Sequence, residues 1–167
     1  MSRRFAWSII IAGIIGVGLL FLPFITALEI SDFKTRQRLL LVCMQSGEEF
    51  TLSFIHSVNR RPVYDTLRVE GDHLVIVRSR YDSFGAGMPE SSTGEGTLKV
   101  AKDGWLEWTV NRPVADITVR VGWTAEHTLH IRDRKIRLTE LAQPGSGLTM
   151  RVQKISMIDY LKGRSFK

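Results

Sequence analysis

The sequence predicts an all-β protein, an antiparallel β-sandwich or a partly open barrel, preceded by one N-terminal transmembrane helix. From Gln37 onward, strand-like runs recur every eight to twelve residues with turn residues between them. Little of this part has helical periodicity. An uncharged run from Phe5 to Leu28 precedes it. We therefore expect a membrane anchor at 1–28, a linker at 29–36, and a β-domain at 37–167 that ends in a short helix.

The N-terminal segment has the length and the flanking charges of a membrane anchor. The 24 uncharged residues would form a helix about 36 Å long, enough to cross the hydrocarbon core. Arg3 and Arg4 favour a cytoplasmic N-terminus. This predicts a single-pass protein of the inner (cytoplasmic) membrane whose C-terminal domain is extracytoplasmic. The alternative is a signal peptide, cleaved after the poor site Ile25-Thr26-Ala27, that leaves a secreted or periplasmic domain.

The composition of the chain indicates which classes of partner and cofactor to expect. The formal net charge is +6, and the part after Leu28 carries a mild basic excess without a polybasic tract. This excess is compatible with a position near anionic lipid. Nucleic acid is not an expected partner, because an exported domain is separated from the nucleic acid of the cell and no recognition motif is visible in the sequence. The single cysteine, Cys43, excludes an internal disulfide, and the four histidines lack the spacing of a zinc motif. No metal or other cofactor is expected.

Turn signals separate the predicted strands. The first four strands are expected at Arg38–Gln45, Phe50–Val58, Val63–Val69 and Leu74–Arg80. A long irregular stretch follows from Phe84 to Gly96, and long loops of this kind are often functional. The later strands are expected at Thr97–Lys102, Trp105–Val110, 117–123, Thr128–Arg132, Lys135–Leu141 and Gly147–Ile155. Asp103-Gly104 is a strong hairpin signal, and Ser156 is expected to cap a helix that ends at Gly163.

The turns of the central hairpins predict a register. A four-residue turn at 59–62 and a two-residue turn at Gly71-Asp72 place three rows on one face of the sheet. These rows are Leu52-Val69-Leu74, Phe54-Leu67-Ile76 and His56-Asp65-Arg78. The first two rows are wholly apolar. The third would bring an imidazole, a carboxylate and a guanidinium side by side at the end of an apolar face.

We interpret this polar row, with the turn at Arg60-Arg61 and the Gly85-Ala86-Gly87 loop beside it, as a candidate recognition surface. Glycine loops direct backbone N–H groups at anions, and arginine binds carboxylates in a bidentate manner. The hypothesis is that this end of the sheet binds a carboxylate of a small molecule or of a partner protein. The predicted binding residues are His56, Arg60, Arg61, Asp65, Arg78, Tyr81, Ser83, Gly85 and Gly87. The alternatives are a polar cluster that only orders the hairpin, and a catalytic or metal-binding cluster.

Two motifs carry a resemblance to a known family. The first is His56-Ser57-Val58 followed by Pro62-Val63, and the second runs from Tyr81 through Ser83-Phe84-Gly85-Ala86-Gly87 to Pro89. In order and spacing they resemble the signature of the bacterial domain of unknown function 1850 family. The resemblance implies an exported protein with an accessory role beside a TAXI-type TRAP solute transporter, whose subunits would be its partners. It implies no catalytic residues.

The function expected from these observations is a membrane-anchored extracytoplasmic accessory or binding module that is not an enzyme. One alternative is a structural scaffold without a small-molecule site. Another is a periplasmic enzyme that uses His56 and Asp65. A concave polar site between the turn at 59–62 and the loop at 85–89 would favour binding, whereas a packed end would favour a scaffold.

Overall fold

The computed structural model describes residues 3–162 and 165–166, and nearly half of them form the strands of two β-sheets. The helices are α1 (Arg3–Leu19) and α2 (Met157–Lys162). The strands are β1 (Ile25–Asp32), β2 (Arg38–Cys43), β3 (Glu49–Ile55), β4 (Pro62–Glu70), β5 (His73–Tyr81), β6 (Thr97–Val100), β7 (Leu106–Val114), β8 (Asp116–Arg120), β9 (Thr128–Ile131), β10 (Arg134–Arg137), β11 (Gly147–Ile155) and β12 (Ser165–Phe166). A short 3₁₀ helix, Leu138–Glu140, follows β10. The predicted all-β class is confirmed.

The two sheets have five and seven strands. The smaller sheet has the order β12-β2-β1-β11-β8, and the larger has the order β10-β9-β3-β4-β5-β7-β6. Neighbouring strands are antiparallel throughout, apart from the parallel pair of β12 and β2. Side chains alternate between the two faces of each strand, so one face of each sheet is free to pack against the other.

The described residues form three apolar clusters: a main core, a small core, and a third cluster of Ala27, Leu41 and Ile155 in the smaller sheet. The main core joins both sheets, with Leu28 and Leu148 from the smaller sheet and Leu67 and Leu74 from the larger. The small core lies under the larger sheet alone. It consists of Val63, Tyr81 and Trp108, with Phe54, Met88, Leu98, Leu106 and Val110 packed against them.

The loop that leads into β6 closes tightly on the small core. A Cβ added to Gly96 would lie 2.6 Å from a ring carbon of Trp108 and 2.7 Å from the carbonyl oxygen of Thr109. Both distances are far below van der Waals contact, so this close approach requires glycine. Gly94, two residues earlier, has open space at the corresponding position.

The N-terminal prediction differs from the structure. Helix α1 covers 17 residues, and among the described residues neither helix combines the length and apolar character that a membrane crossing requires. The helix ends because turns at Leu20–Phe21 precede Pro23, and the residue before a proline disfavours helical dihedrals. Ile25–Leu28, predicted as the end of the anchor, begin β1 instead.

The predicted linker at 29–36 is also corrected, because β1 is a central strand of the smaller sheet and continues to Asp32. Its buried acid, Glu29, has a side chain only 3% exposed. Arg38 donates to it at 2.6 Å and Arg151 at 2.7 Å, and the Gln153 amide also donates to it. These partners from β2 and β11 compensate the burial of the carboxylate.

Helix α2 begins as the sequence predicts. The Ser156 hydroxyl accepts the Asp159 N–H at 3.1 Å, and Asp159 accepts the Ser156 N–H at 3.3 Å. This is a reciprocal cap of the kind that starts many helices. The predicted helix end, Gly163, lies outside the described residues.

Candidate functional site

The predicted register of the first central hairpin is wrong. Strands β3 and β4 pair Leu52 with Asp65 and Ile55 with Pro62, so six residues, 56–61, connect them instead of four. The connection is closed by hydrogen bonds from His56 N to Arg61 O at 2.9 Å and from Arg60 N to His56 O at 3.0 Å. We call residues 56–61 the basic turn. His56 belongs to this turn and does not lie opposite Asp65.

The second central hairpin follows the prediction for half its length. Pairing runs as expected from Val69–Leu74 to Leu67–Ile76, and Val77 then forms a β-bulge. Beyond the bulge, Asp65 pairs with Ser79, and Arg78 pairs with Thr66. Because a shift of one residue exchanges the faces of a strand, Arg78 and Asp65 lie on opposite faces of the sheet. The predicted row of His56, Asp65 and Arg78 does not exist.

Arg78 and Asp65 therefore have different surroundings. Arg78 lies on the outer face, where its guanidinium is 3.4 Å from the Glu49 carboxylate and 3.9 Å from that of Glu107. Asp65 faces the interior and accepts a hydrogen bond from the Ser79 hydroxyl at 2.5 Å. Burial raises the pKa of Asp65, and the Ser79 hydrogen bond opposes that shift. The predicted carboxylate-binding cluster cannot include either residue.

The basic turn and the Ser83–Pro89 loop do lie together, and their junction is packed. Asn59 makes most of the contacts: its amide donates to the Ser83 hydroxyl at 3.1 Å and to the Phe84 carbonyl at 3.3 Å. Its oxygen accepts the Arg61 N–H at 3.2 Å. A Cβ added to Gly85 would lie 2.9 Å from the Asn59 amide nitrogen and 3.2 Å from the His56 ring. There is thus no room for a ligand between the turn and Gly85.

Several of the predicted binding residues build this junction. Arg61 forms a two-contact ion pair with Asp82, and hydrogen bonding by the guanidinium lowers the pKa of that carboxyl. The Tyr81 ring belongs to the small core, and its hydroxyl donates to the Pro89 carbonyl at 2.6 Å; burial raises the pKa of this phenol. Gly87 has φ +82°, which favours glycine in that turn.

His56 and Arg60 line a depression on the other side of the basic turn. This depression, which we call the Arg60 notch, has a volume of about 320 Å³ and is lined by Ile55, His56, Ser57, Arg60 and Thr124. The backbone N–H of Val58 donates to His56 Nδ1 at 3.3 Å, which leaves the Nε2 position to carry the proton of the neutral ring. Within residues 3–162 and 165–166, no acid pairs with the Arg60 guanidinium. The notch therefore combines a cation, a ring N–H and two hydroxyls, which suits a carboxylate or another small anion.

The notch lies at the end of the domain that is remote from the N-terminal segment. Arg132, in the turn between β9 and β10, bonds the Glu48 carboxylate at 2.8 Å and the Cys43 carbonyl at 2.7 Å. These contacts place the start of β3 beside the end of β2, and Cys43 pairs with Ala27 near the start of β1. The basic turn follows the opposite end of β3, about 20 Å away at roughly 3.3 Å per residue.

Three exposed apolar side chains accompany the notch. Val58 is 66% exposed, Phe84 is 47% exposed and Trp123 is 82% exposed. Each is adjacent in sequence to a residue of the notch or of the packed junction. The loop that carries Trp123 is held here by a hydrogen bond from Ile55 N to Ala125 O at 2.7 Å. Exposed aromatic side chains beside an unpaired arginine are typical of protein interfaces.

Sequence reasoning missed Asn59 and Thr124. Asn59 had a local signal, since asparagine in a turn commonly bonds nearby backbone groups. Thr124 had none, because it reaches the notch only through the contact of its loop with Ile55.

Comparisons with known proteins give one match. A family model described as a domain of unknown function (DUF1850) matches residues 50–138, slightly more than half of the chain. This region contains the basic turn, the Ser83–Pro89 loop and all the residues of the Arg60 notch. No curated protein and no solved structure matches the chain.

Proposed function

The chain belongs to the DUF1850 family, and we propose that it is an extracytoplasmic accessory module that binds a partner protein through a carboxylate received in the Arg60 notch. The observation that carries this proposal is the guanidinium of Arg60, which lines a concave surface and has no acidic partner among the residues that the structure describes. Arginines elsewhere, such as Arg61, Arg78 and Arg132, have acidic partners of their own. The Arg60 guanidinium is thus a cation in a depression, and all of its N–H donors can still bind an anion.

The surroundings of the notch favour a protein over a free small molecule as the partner. A carboxylate alone would need only the polar groups, whereas Val58, Phe84 and Trp123 offer apolar area outside the notch. Burying these side chains against a partner would remove apolar surface from water at about 25 cal/mol per Å². The partner we propose has an exposed Asp, Glu or C-terminal carboxylate next to an apolar patch.

The position of the notch is consistent with an arrangement at the membrane surface. Trp7, Ile14 and Phe21 of the N-terminal segment are exposed large apolar side chains, and such residues favour a lipid or protein environment over water. We propose that this segment keeps the module at the extracytoplasmic face of the inner membrane, or is cleaved on export. The notch at the opposite end would then face a soluble or membrane partner. Subunits of a TAXI-type TRAP transporter are the partners that the family resemblance suggests.

A scaffold function is the second candidate, and the packed junction favours it. Asn59, Gly85 and the Arg61–Asp82 pair fill the space where a ligand between turn and loop would have to lie. In that case the two motifs of the family would serve to hold two loops together. The two candidates differ in whether the Arg60 guanidinium is needed for any interaction.

The test uses the full chain in its native membrane. A photo-crosslinking amino acid at position 58 is expected to capture an extracytoplasmic partner, and the same probe at Asp133, in the turn at the other end, is expected not to. Arg60→Gln is expected to reduce the crosslinked product at least about tenfold, which corresponds to the loss of one charge-assisted contact. Arg120→Gln, which removes an exposed arginine from edge strand β8, is the matched control and should leave the product unchanged.

Two results would contradict the binding proposal. One is equal crosslinking from positions 58 and 133. The other is crosslinking at position 58 that is insensitive to Arg60→Gln. The second result would leave the scaffold function as the better account of this end. Identification of the product by mass spectrometry decides whether a transporter subunit is the partner.

A further inference from the structure

A second cavity lies between the two sheets, on the other face of the seven-stranded sheet from Arg78. It has a volume of about 320 Å³. Asp65 is positioned there because its row on the sheet falls between the two cores. In β4 the next inward residue on one side, Leu67, belongs to the main core, and Val63 on the other side belongs to the small core. The cavity occupies part of the space where these cores separate.

The walls of the cavity are mainly apolar. They are formed by Leu52, Leu67, Ile76, Val114 and Ile117. The charged residues Arg112 and Asp116 also line it, and both are exposed, which places them at the mouth. A cavity of this size, with apolar walls and a few polar groups, is the usual form of a small-molecule site. Asp65, largely buried, is the charged group furthest from solvent.

The charges in this cavity are not balanced. One oxygen of Asp65 accepts the Ser79 hydroxyl at 2.5 Å, and no hydrogen bond to the other oxygen is found within the described part of the chain. Asp65 does not form an ion pair with Arg112, although both line the cavity. Two carboxylates therefore face one guanidinium, and the second Asp65 oxygen, which keeps some contact with solvent, is accessible to a donor group in the cavity.

We propose that this inter-sheet cavity binds a small organic ammonium compound with a branched apolar body. The ammonium group donates to the free oxygen of Asp65, and the apolar body packs against Leu67, Ile76 and Ile117. An ammonium ion in contact with a buried carboxylate forms a charge-assisted hydrogen bond, and displacement of water from the apolar walls adds affinity. A carboxylic acid of the same shape would meet two like charges at this site.

This inference does not depend on the proposed function. The Arg60 notch lies outside the sheets and selects an anion, whereas the cavity lies between them and selects a cation. Neither site shares a lining residue with the other. A failure of one experiment therefore leaves the other intact.

The test compares three probes of nearly equal shape on the full chain, purified in nanodiscs. They are 3-methylbutylammonium, 3-methylbutanol and 3-methylbutanoate. Isothermal titration calorimetry is expected to give the tightest binding for the ammonium probe, by about tenfold or more over the alcohol, since it alone forms a charge-assisted contact. Methyl NMR shifts are expected at Ile76 and Ile117. Empty nanodiscs report the partition of each probe into lipid.

Two variants with opposite expected effects make the test independent of folding. Asp65→Asn, which is nearly isosteric, should abolish the preference for the ammonium probe. Arg112→Gln should strengthen ammonium binding about two- to fivefold, since it removes a like charge near the mouth. Asp133→Asn, which removes an exposed carboxylate in the turn between β9 and β10, is the matched control and should change nothing.

Several outcomes would overturn the inference. Equal affinity for the ammonium and alcohol probes would show that Asp65 does not select charge. Preference for 3-methylbutanoate would show that the cavity binds an anion through Arg112. Absence of binding by every probe at millimolar concentrations, or shifts confined to other methyl groups, would show that the cavity is not a ligand site.

Discussion

Replacing Asn59 by alanine is expected to destabilise the protein by about 1–2 kcal/mol. The side-chain amide makes three good hydrogen bonds, to Ser83, to Phe84 and from Arg61, at 3.1–3.3 Å. Each such bond contributes about 0.5–1.5 kcal/mol net. Three such bonds would sum to about 1.5–4.5 kcal/mol, and the expected loss lies near the lower end of that sum because the site is partly open to water, which can replace the lost partners. For a chain of this size the loss corresponds to a Tm lower by about 2–8 °C.

Urea unfolding followed by tryptophan fluorescence measures this change in the free energy of unfolding. A double-mutant cycle with Ser83→Ala isolates one contact, and its coupling energy is expected to be about 0.5–1 kcal/mol. Gln143→Ala, at an exposed amide, is the control and should stay within about 0.5 kcal/mol of the parent. A loss for Asn59→Ala no larger than that of the control, or zero coupling with Ser83, would refute the conclusion that this amide joins the basic turn to the loop.

Three further predictions concern the interior. Gly96→Ala should cost about 1–3 kcal/mol through the clash with the small core, while Gly94→Ala, where a Cβ meets open space, should be nearly neutral in the same urea titration. Asp65→Asn should make the protein more stable at pH 7. Because burial raises its pKa, the Asp65 carboxyl binds a proton more tightly in the native state than in the unfolded chain, so its ionisation destabilises the parent protein above that pKa. The difference in unfolding midpoint between Asp65→Asn and the parent should therefore shrink as the pH falls through that pKa. A difference that does not depend on pH would contradict this prediction. Glu29→Gln should cost about 3 kcal/mol, because two arginines lose their buried carboxylate, whereas Glu140→Gln, at an exposed pair, should change the unfolding midpoint little.

The antiparallel β-domain could be predicted because its signals are local. The Gly71-Asp72 turn fixes the pairs from Val69–Leu74 to Leu67–Ile76, and the structure has this register. Ser156 likewise begins α2 by contacts within its own first turn. The two residues that specify this turn and the two that form this cap, Ser156 and Asp159, each lie within a short window of sequence.

The features that the sequence did not reveal depend on distant contacts. Strand β1 was hidden because Ile25–Leu28 continue the apolar run of α1, and Glu29 is stabilised inside the sheet by Arg151, which is 122 residues away. The predicted row of His56, Asp65 and Arg78 was wrong for a related reason. No residue near Val77 signals a β-bulge in the sequence, yet this bulge places Arg78 and Asp65 on opposite faces of the sheet.

The bulge at Val77 also affects how this chain should be compared with its relatives. A relative that pairs the same strands without a bulge has one residue fewer in β5, so an alignment without a gap would match inward positions here to outward positions there. Counting back from the Tyr81 motif and forward from Gly71-Asp72 would then assign different counterparts to Arg78. A single-residue gap placed at Val77 reconciles the two counts, and an alignment of that kind is needed to tell whether an arginine at position 78 is shared across the family.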